Sequence, residues 1–247
     1  MKKALGVLAM GLVVAAGAAQ AEDVWIGVRG GLSIPKLTGG NDKEISSDYH
    51  SITALNAGLT AEYCFNEHYS VVVEATYAGQ GGERKGMQPV TGDQVPPMPE
   101  GQYLYADFKN KSELTYLEVP IMAKYQWKLA EQWVCYLQAG PYIGFLLDAT
   151  QKTSGQSHFF MDKKGQMPLP GPAQSMNADT DVQDSLNDVN VGIAGGIGAG
   201  YLLTANQQLY VDIRGEYGFT SLQKNTDRDG DSHTGCGVFS LGYKYKF

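Results

Sequence analysis

Apolar side chains recur at every second position along eight stretches of this chain, with polar, charged or small residues between them. The clearest stretch is the last, Phe239-Ser240-Leu241-Gly242-Tyr243-Lys244-Tyr245-Lys246-Phe247. Side chains on a strand point alternately to opposite faces. One face here is therefore Phe239, Leu241, Tyr243, Tyr245 and Phe247, and the other is Ser240, Gly242, Lys244 and Lys246. The same reading predicts strands over about 23–34, 54–65, 69–80, 113–127, 132–147, 187–203, 208–221 and 236–247. Tight turns are expected at 65–69, 128–131 and 204–207, and the segments between the other strands, 35–53, 81–112, 148–186 and 222–235, are long.

Charge follows the same alternation. The apolar parity, which includes Val28, Leu32, Leu59, Tyr63, Val71, Leu117, Ile121, Leu137, Val191, Val211 and Ile213, holds no charged residue. The opposite parity holds Arg29, Glu62, Glu74, Glu118, Lys124, Asp188, Asp212, Arg214, Glu216, Lys244 and Lys246. A basic residue at the bilayer midplane costs roughly 2–4 kcal/mol on the lipid face of a barrel and far less in its lumen. A soluble sandwich would turn its polar face outward and share its apolar face with a partner sheet. Alternating short and long connections and an even number of crossings predict an all-β fold instead. That fold is an eight-stranded antiparallel up-and-down transmembrane β-barrel with short periplasmic turns and long extracellular loops.

The N-terminus fits an exported protein. Met1-Lys2-Lys3 precedes an apolar run from Ala4 to Ala19, and Ala19-Gln20-Ala21 has the small-x-small form of a cleavage site. The expected organisation is a cleaved signal peptide over 1–21 and an outer-membrane barrel over 22–247. No other stretch approaches the ~18 unbroken apolar residues of a spanning helix. The full chain carries 19 Lys+Arg and 26 Asp+Glu; without Lys2 and Lys3, 17 bases face 26 acids, a net charge of −9. An acidic, exported protein is a poor nucleic-acid binder, so the expected partners are outer-membrane lipid and, through the terminal Phe247, the barrel-insertion machinery. A monomer is expected, and the long loops name no ligand. Cys64, Cys135 and Cys236 are read as unpaired small apolar residues, with a Cys64–Cys135 bridge as the alternative.

Aromatics gather beside the short turns (Tyr63, Phe65, Tyr69, Trp127, Trp133, Tyr201, Tyr245, Phe247), which predicts a girdle at headgroup depth. Pro120 sits within a strand that should pair on both sides, so a bulge or an open ladder is expected there. Gly192, Gly196, Gly198 and Gly200 share the lumen parity of one strand and leave room for long side chains such as Arg214.

The stretch Tyr116-Leu117-Glu118-Val119-Pro120-Ile121-Met122-Ala123-Lys124-Tyr125 resembles the central strand of the PorT-like "porin family" of outer-membrane β-barrel proteins. Ala139-Gly140-Pro141-Tyr142-Ile143-Gly144, Asn56-Ala57-Gly58-Leu59, Glu74-Ala75-Thr76-Tyr77 and the terminal Tyr-x-Tyr-x-Phe are similar to other strands of that family. The resemblance covers essentially the whole mature chain. It implies an eight-stranded barrel in the bacterial outer membrane with no assigned activity. Founding members are linked to protein secretion and gliding, and no residue pattern here carries that role over.

Eight strands leave an interior just wide enough for side chains to fill, and a buried charge must find a partner. The expected lumen is therefore a structural network in which Arg29, Glu62, Glu74, Glu118, Lys124, Asp212, Arg214, Glu216 and Lys244 neutralise one another. The competing reading is a narrow porin-like channel for ions or small solutes. A third is a lipid-modifying enzyme at the outer leaflet. Its only tempting cluster, Asp48 with His50-Ser51, lies in a loop where adjacent positions project apart. No catalytic, cofactor or metal site is expected. Asn225 to Asp231 copies half of a calcium loop, but Cys236 stands where the bidentate carboxylate belongs and both helices are missing. The Pro- and Met-rich stretches 87–99 and 161–176 are expected to avoid regular strand.

Overall fold

A computed structural model of the chain describes residues 24–39, 47–90, 102–226 and 230–247. Eight long strands follow one another: β1 (Val24–Gly39), β2 (Ala54–Cys64), β3 (Tyr69–Val90), β4 (Leu104–Lys128), β5 (Trp133–Ser154), β6 (Val189–Thr204), β7 (Gln207–Gly218) and β8 (Ser232–Lys246). Each pairs antiparallel with its neighbours in sequence, and β1 pairs with β8 to close the ring. The predicted up-and-down barrel is therefore present. The proposed signal peptide lies outside the described residues.

The outer wall is apolar. Val28, Leu32, Leu59, Ile121, Leu137, Val191, Ile197, Ile213 and Leu241 are all exposed on it. So continuous an apolar surface on a closed sheet needs a hydrocarbon solvent. No helix among the described residues is long and apolar enough to cross a membrane, so the strands do the crossing.

The three short connections are tight, and all lie at one end. In the first, Asn66 Oδ1 accepts from the backbone N–H of His68 at 2.8 Å and of Tyr69 at 2.9 Å. This side-chain-closed turn explains why Asn sits there. Ring pairs cluster at the same end: Tyr63–Phe65, Tyr69–Tyr125, Tyr125–Trp127, Trp133–Tyr201 and Tyr245–Phe247. The expected girdle is thus assembled from neighbouring strands.

Pro120 opens the ladder without a bulge. Pairing of β3 with β4 stops between Val73↔Ile121 and Thr76↔Glu118 and resumes in the same register. On the β5 side it stops between Pro120↔Tyr142 and Ala123↔Ala139, where Pro141 stands opposite Ile121. Two prolines thus remove donors from adjacent strands at one height. The register shift of β4 against β5 falls elsewhere, at Thr115/Tyr116.

Glycines on the inner wall make room for rings. Tyr136 lies opposite Gly198, Tyr142 opposite Gly192 and Tyr210 opposite Gly242, and a Cβ at any of these glycines would overlap the ring. Gly196 lies opposite Arg214, as the sequence reading anticipated.

The long connections correct that reading. Residues 81–90 and 104–112 were expected as loop, yet β3 and β4 run through them as one continuous ladder, out to Val90↔Leu104. Even Met87, Pro89 and Val90 are strand. Proline is tolerated because, among the described residues, β3 is an edge strand at that height and no ladder needs its missing N–H. Beyond the barrel, β5 continues to Ser154 and pairs with Ala178–Asp181 at Thr150–Thr153. The outer parts of β3, β4, β5 and Ala178–Asp181 thus form a four-stranded sheet that extends one side of the wall past the lipid belt. Its inner face packs Val90, Ala106, Phe108 and Met176 with Phe159. β8 likewise starts at Ser232, four residues earlier than expected, because Gly39 at the end of β1 pairs with it.

A methyl group added at Gly242 must push against the Tyr210 ring, so Gly242→Ala should cost about 1–3 kcal/mol in urea unfolding from lipid vesicles. Gly30→Ala, where a Cβ meets nothing within 4 Å, should stay within about 0.5 kcal/mol.

Candidate functional site

All nine charged residues singled out for the lumen are inward-facing and buried. They form layers rather than one network. Nearest the turn end, Glu62 takes both lysines: Lys124 Nζ donates to it at 3.0 Å and Lys244 Nζ at 2.6 Å, while Ser70 Oγ donates at 2.7 Å. Each lysine also sits over a ring, Lys124 over Tyr136 at 4.2 Å and Lys244 over Trp25 at 4.9 Å.

The middle layer is built on Glu74. Arg29 Nη1 donates to its Oε2 at 2.6 Å, and Arg214 donates to both carboxylate oxygens at 2.9 and 3.1 Å. Arg214 also reaches Asp212 at 3.1 Å. The same Oδ2 of Asp212 also accepts from Gln138 and Tyr136, and its Oδ1 accepts from Ser240. Glu74 lies opposite the opened ladder at Pro120, so a carboxylate that holds two arginines stands where the backbone pairing is interrupted.

Glu118 and Glu216 depart from expectation. Both are buried above the arginines, and neither forms an ion pair among the described residues. Glu118 accepts from Gln80 Nε2 at 3.2 Å, and Glu216 Oε2 has no hydrogen-bond partner among the described residues. Asp188 is also corrected. β6 begins only at Val189, so Asp188 is an exposed rim residue 3.8 Å from Lys224. Lys246 is half-buried at the turn end.

Neutral residues that the charge pattern does not reveal complete the layers. Asn190 Nδ2 donates to Thr234 Oγ1 at 2.9 Å and to Tyr142 Oη at 3.3 Å. Their inward parity was the available signal. Also missed was an apolar cluster at the outer mouth: Leu37, Leu114, Tyr116, Leu146 and Ala149 from the wall, with Leu222, Tyr49, Val182 and Leu186 folded over them from the connections. The loop residues cannot be placed by periodicity, because their direction is set by tertiary packing. Between the two charged layers lies a cavity of about 20 Å³, lined by Thr60, Glu62, Val72, Glu74, Lys124, Tyr136, Gln138, Tyr210, Asp212 and Lys244. That is room for about one water molecule.

Outside the lumen, no hydrogen bond joins Asp48, His50 and Ser51 among the described residues. His50 instead bridges to Glu83 through the backbone, at 2.7 and 3.0 Å. Of the calcium-loop carboxylates, Asp227 and Asp229 lie outside the described residues, and Asp231 faces His233 at 3.3 Å. Cys64, Cys135 and Cys236 are unpaired thiols. On the outer sheet, hydrogen bonds from Lys85 and Lys109 hold the Glu83 carboxyl down at about 2, and those from Lys111 and Lys152 lower Glu113.

The chain matches the family described as "Outer membrane protein beta-barrel domain" over residues 18–224. It belongs to that family. Its place is the bacterial outer membrane, and the apolar wall fits the hydrocarbon of that membrane. Solved structures with a similar fold include Neisserial surface protein A, at 15% identity and TM-score 0.43, covering 91% of this chain and 97% of that one. Escherichia coli outer membrane protein W aligns at 15% identity and TM-score 0.37, covering 92% of this chain and 100% of that one. The outer membrane protease OmpT from Escherichia coli aligns at 11% identity and TM-score 0.48, covering 92% and 98%. No curated protein matches the chain.

Removing Glu62 strands two buried ammonium groups, so Glu62→Ala should lose about 3–5 kcal/mol of unfolding free energy. Glu118→Gln, which keeps an acceptor for Gln80 and strands no cation, should change it by no more than about 1 kcal/mol. Glu83 is charged in the folded state at a pH where a free glutamate, with its value of 4.5, is protonated. Its pairing therefore contributes fully above about 4.5 and is lost as pH falls through about 2. A carboxyl-carbon NMR titration should place its midpoint near 2, and a midpoint near 4.5 would show the lysines disengaged.

Proposed function

We propose that this protein is a non-conducting barrel with a structural or surface-interaction role, its lumen plugged by paired charges and its outer sheet presented to the exterior. The observation that carries the reading is the filling of the lumen at successive heights. Lys124–Glu62–Lys244 lies below Arg29–Glu74–Arg214–Asp212, and the Leu37–Leu114–Tyr116–Leu146 cluster lies at the mouth. An ion crossing this path would have to break charge-assisted hydrogen bonds that are the buried groups' replacement for water. It would then meet an apolar constriction, which repels ions by keeping water out.

The reading is also non-enzymatic. A nucleophile needs a base within hydrogen-bond reach, and the Asp48, His50 and Ser51 side chains offer no such contact among the described residues. A narrow channel remains the alternative reading, and only conduction separates it from a plug. Purified protein in planar bilayers should give no stable, large single-channel steps. Reproducible steps with fixed ion selectivity would overturn the plug and establish the pore.

A further inference from the structure

Two carboxylates in the upper lumen, Glu118 and Glu216, are buried without a cation to match them, each 8% exposed or less. The cations below are already committed. Arg29 and Arg214 hold Glu74 and Asp212, two charges against two, and Lys124 and Lys244 hold Glu62. Further out, the next buried cation on β3 is Arg84, four residues beyond Gln80 and over the Tyr49 ring. Among charged groups, the one that acts most strongly on Glu118 is Glu216, ahead of either arginine. Two like charges thus act on each other where burial already disfavours each of them.

Oxygens that lack a donor gather around the pair. Gln80 Nε2 donates to Glu118 Oε1 at 3.2 Å, which sets Oε1 of the same amide beside that carboxylate. Asn190 commits Nδ2 to Thr234 and Tyr142. Gln80 Oε1, Asn190 Oδ1 and Glu216 Oε2 are all buried and have no hydrogen-bond partner among the described residues. The ladder brings these groups together, since Glu118 pairs with Gly144 and Gly144 with Asn190. A Cβ at Gly144 would meet Glu118 Cγ at 3.3 Å, and one at Gly218 would meet Asn190 Oδ1 at 2.5 Å. Two glycines thus clear the space, and Gly218 is the inward position next to Glu216 on β7. Two carboxylates and two amide carbonyls offer up to about six hard oxygens, the kind of set that calcium takes. We infer that Glu118, Glu216, Gln80 and Asn190 bind one calcium ion, which supplies the positive charge that the upper lumen lacks. A proton shared by the two carboxylates would cancel one charge of the two and leave the amide oxygens unserved, which favours the metal. Magnesium fits less well, because it demands a tighter octahedron and gives up its waters reluctantly.

The test refolds the protein from urea into vesicles of zwitterionic lipid in the presence of calcium chloride. A chelator then strips loosely held ions, and the metal left on each chain is counted by plasma mass spectrometry. Wild type should retain one calcium per chain, and its urea midpoint should be higher after refolding with calcium than with chelator. Glu118→Gln and Glu216→Gln should each weaken retention roughly tenfold or more and abolish the calcium-dependent rise. In chelator, Glu118→Gln should unfold close to the wild-type midpoint. Asp229→Asn/Asp231→Asn, which alters the loop that copies half of a calcium motif, should retain the ion. Heat-dependent gel mobility checks that each variant is folded, and Gln80→Leu, which removes one amide oxygen, replaces any that is not. No retained calcium, undiminished retention by the folded lumen variants, loss confined to the loop variant, or equal retention of magnesium would each overturn the inference. So would an infrared band of a protonated carboxyl that wild type shows and Glu118→Gln lacks, since the pair would then hold a proton in the metal's place. None of these readouts involves conductance, so failure here leaves the plugged-lumen reading where it stood.

Discussion

A backbone amide exposed to hydrocarbon costs several kcal/mol, and a sheet that crosses a membrane therefore cannot have an edge. Everything else in this molecule follows from that requirement. β1 must return to β8, so the chain has to cross an even number of times. Eight crossings close a cylinder whose interior is narrow enough for side chains to fill. Inward side chains then have to satisfy one another, which is why acids and bases that would be unremarkable on a soluble surface become a stack of specific pairs. Closure also explains where irregularity is allowed. Pro120 and Pro141 each remove a donor, and the ladder opens there without shifting register, because a slip would turn every charge of the strand toward lipid.

Inside, shape and charge are solved together. Tyr136, Tyr142 and Tyr210 cross the lumen over glycines of the adjacent strand. Their hydroxyl ends are placed among the same polar groups that serve the charges: Tyr136 reaches Asp212 and Tyr142 receives Asn190. The rings supply volume that lysine and arginine cannot, and the glycines keep that volume from splitting the sheet. Glu118 and Glu216 mark the limit of this solution, since the cations are used up below them.

The wall was legible in the sequence because parity is a local property: a residue two positions on faces the same way whatever the rest of the chain does. That is why the inward set from Arg29 to Lys244 came out on one side. Partnership was not legible. Whether Glu118 meets a base or Gln80 depends on the stagger between strands far apart in sequence, which parity does not encode. Asp188 failed at a strand end, where one residue of uncertainty reverses the assignment. The outer sheet was missed for a different reason. Gly81, Gly82, Gly86 and Pro89 break the apolar alternation and read as loop, and pairing with β4 over 104–113 holds them extended. The apolar cluster at the mouth draws Leu222 and Leu186 from segments with no periodicity at all.

The sheet that rises past the lipid has, unlike the barrel below it, two borders with no strand beyond them among the described residues. One carries Pro89, which lacks the N–H that a docking strand would need. The other is Ala178–Asp181, four residues long with two aspartates among them. A row of unpaired amides at a crowded cell surface would invite neighbouring copies to zip together, and short, charged or proline-bearing borders discourage it. The protruding wall can thus stand among identical molecules as a solitary structure, its length gained without becoming a seed for fibrils.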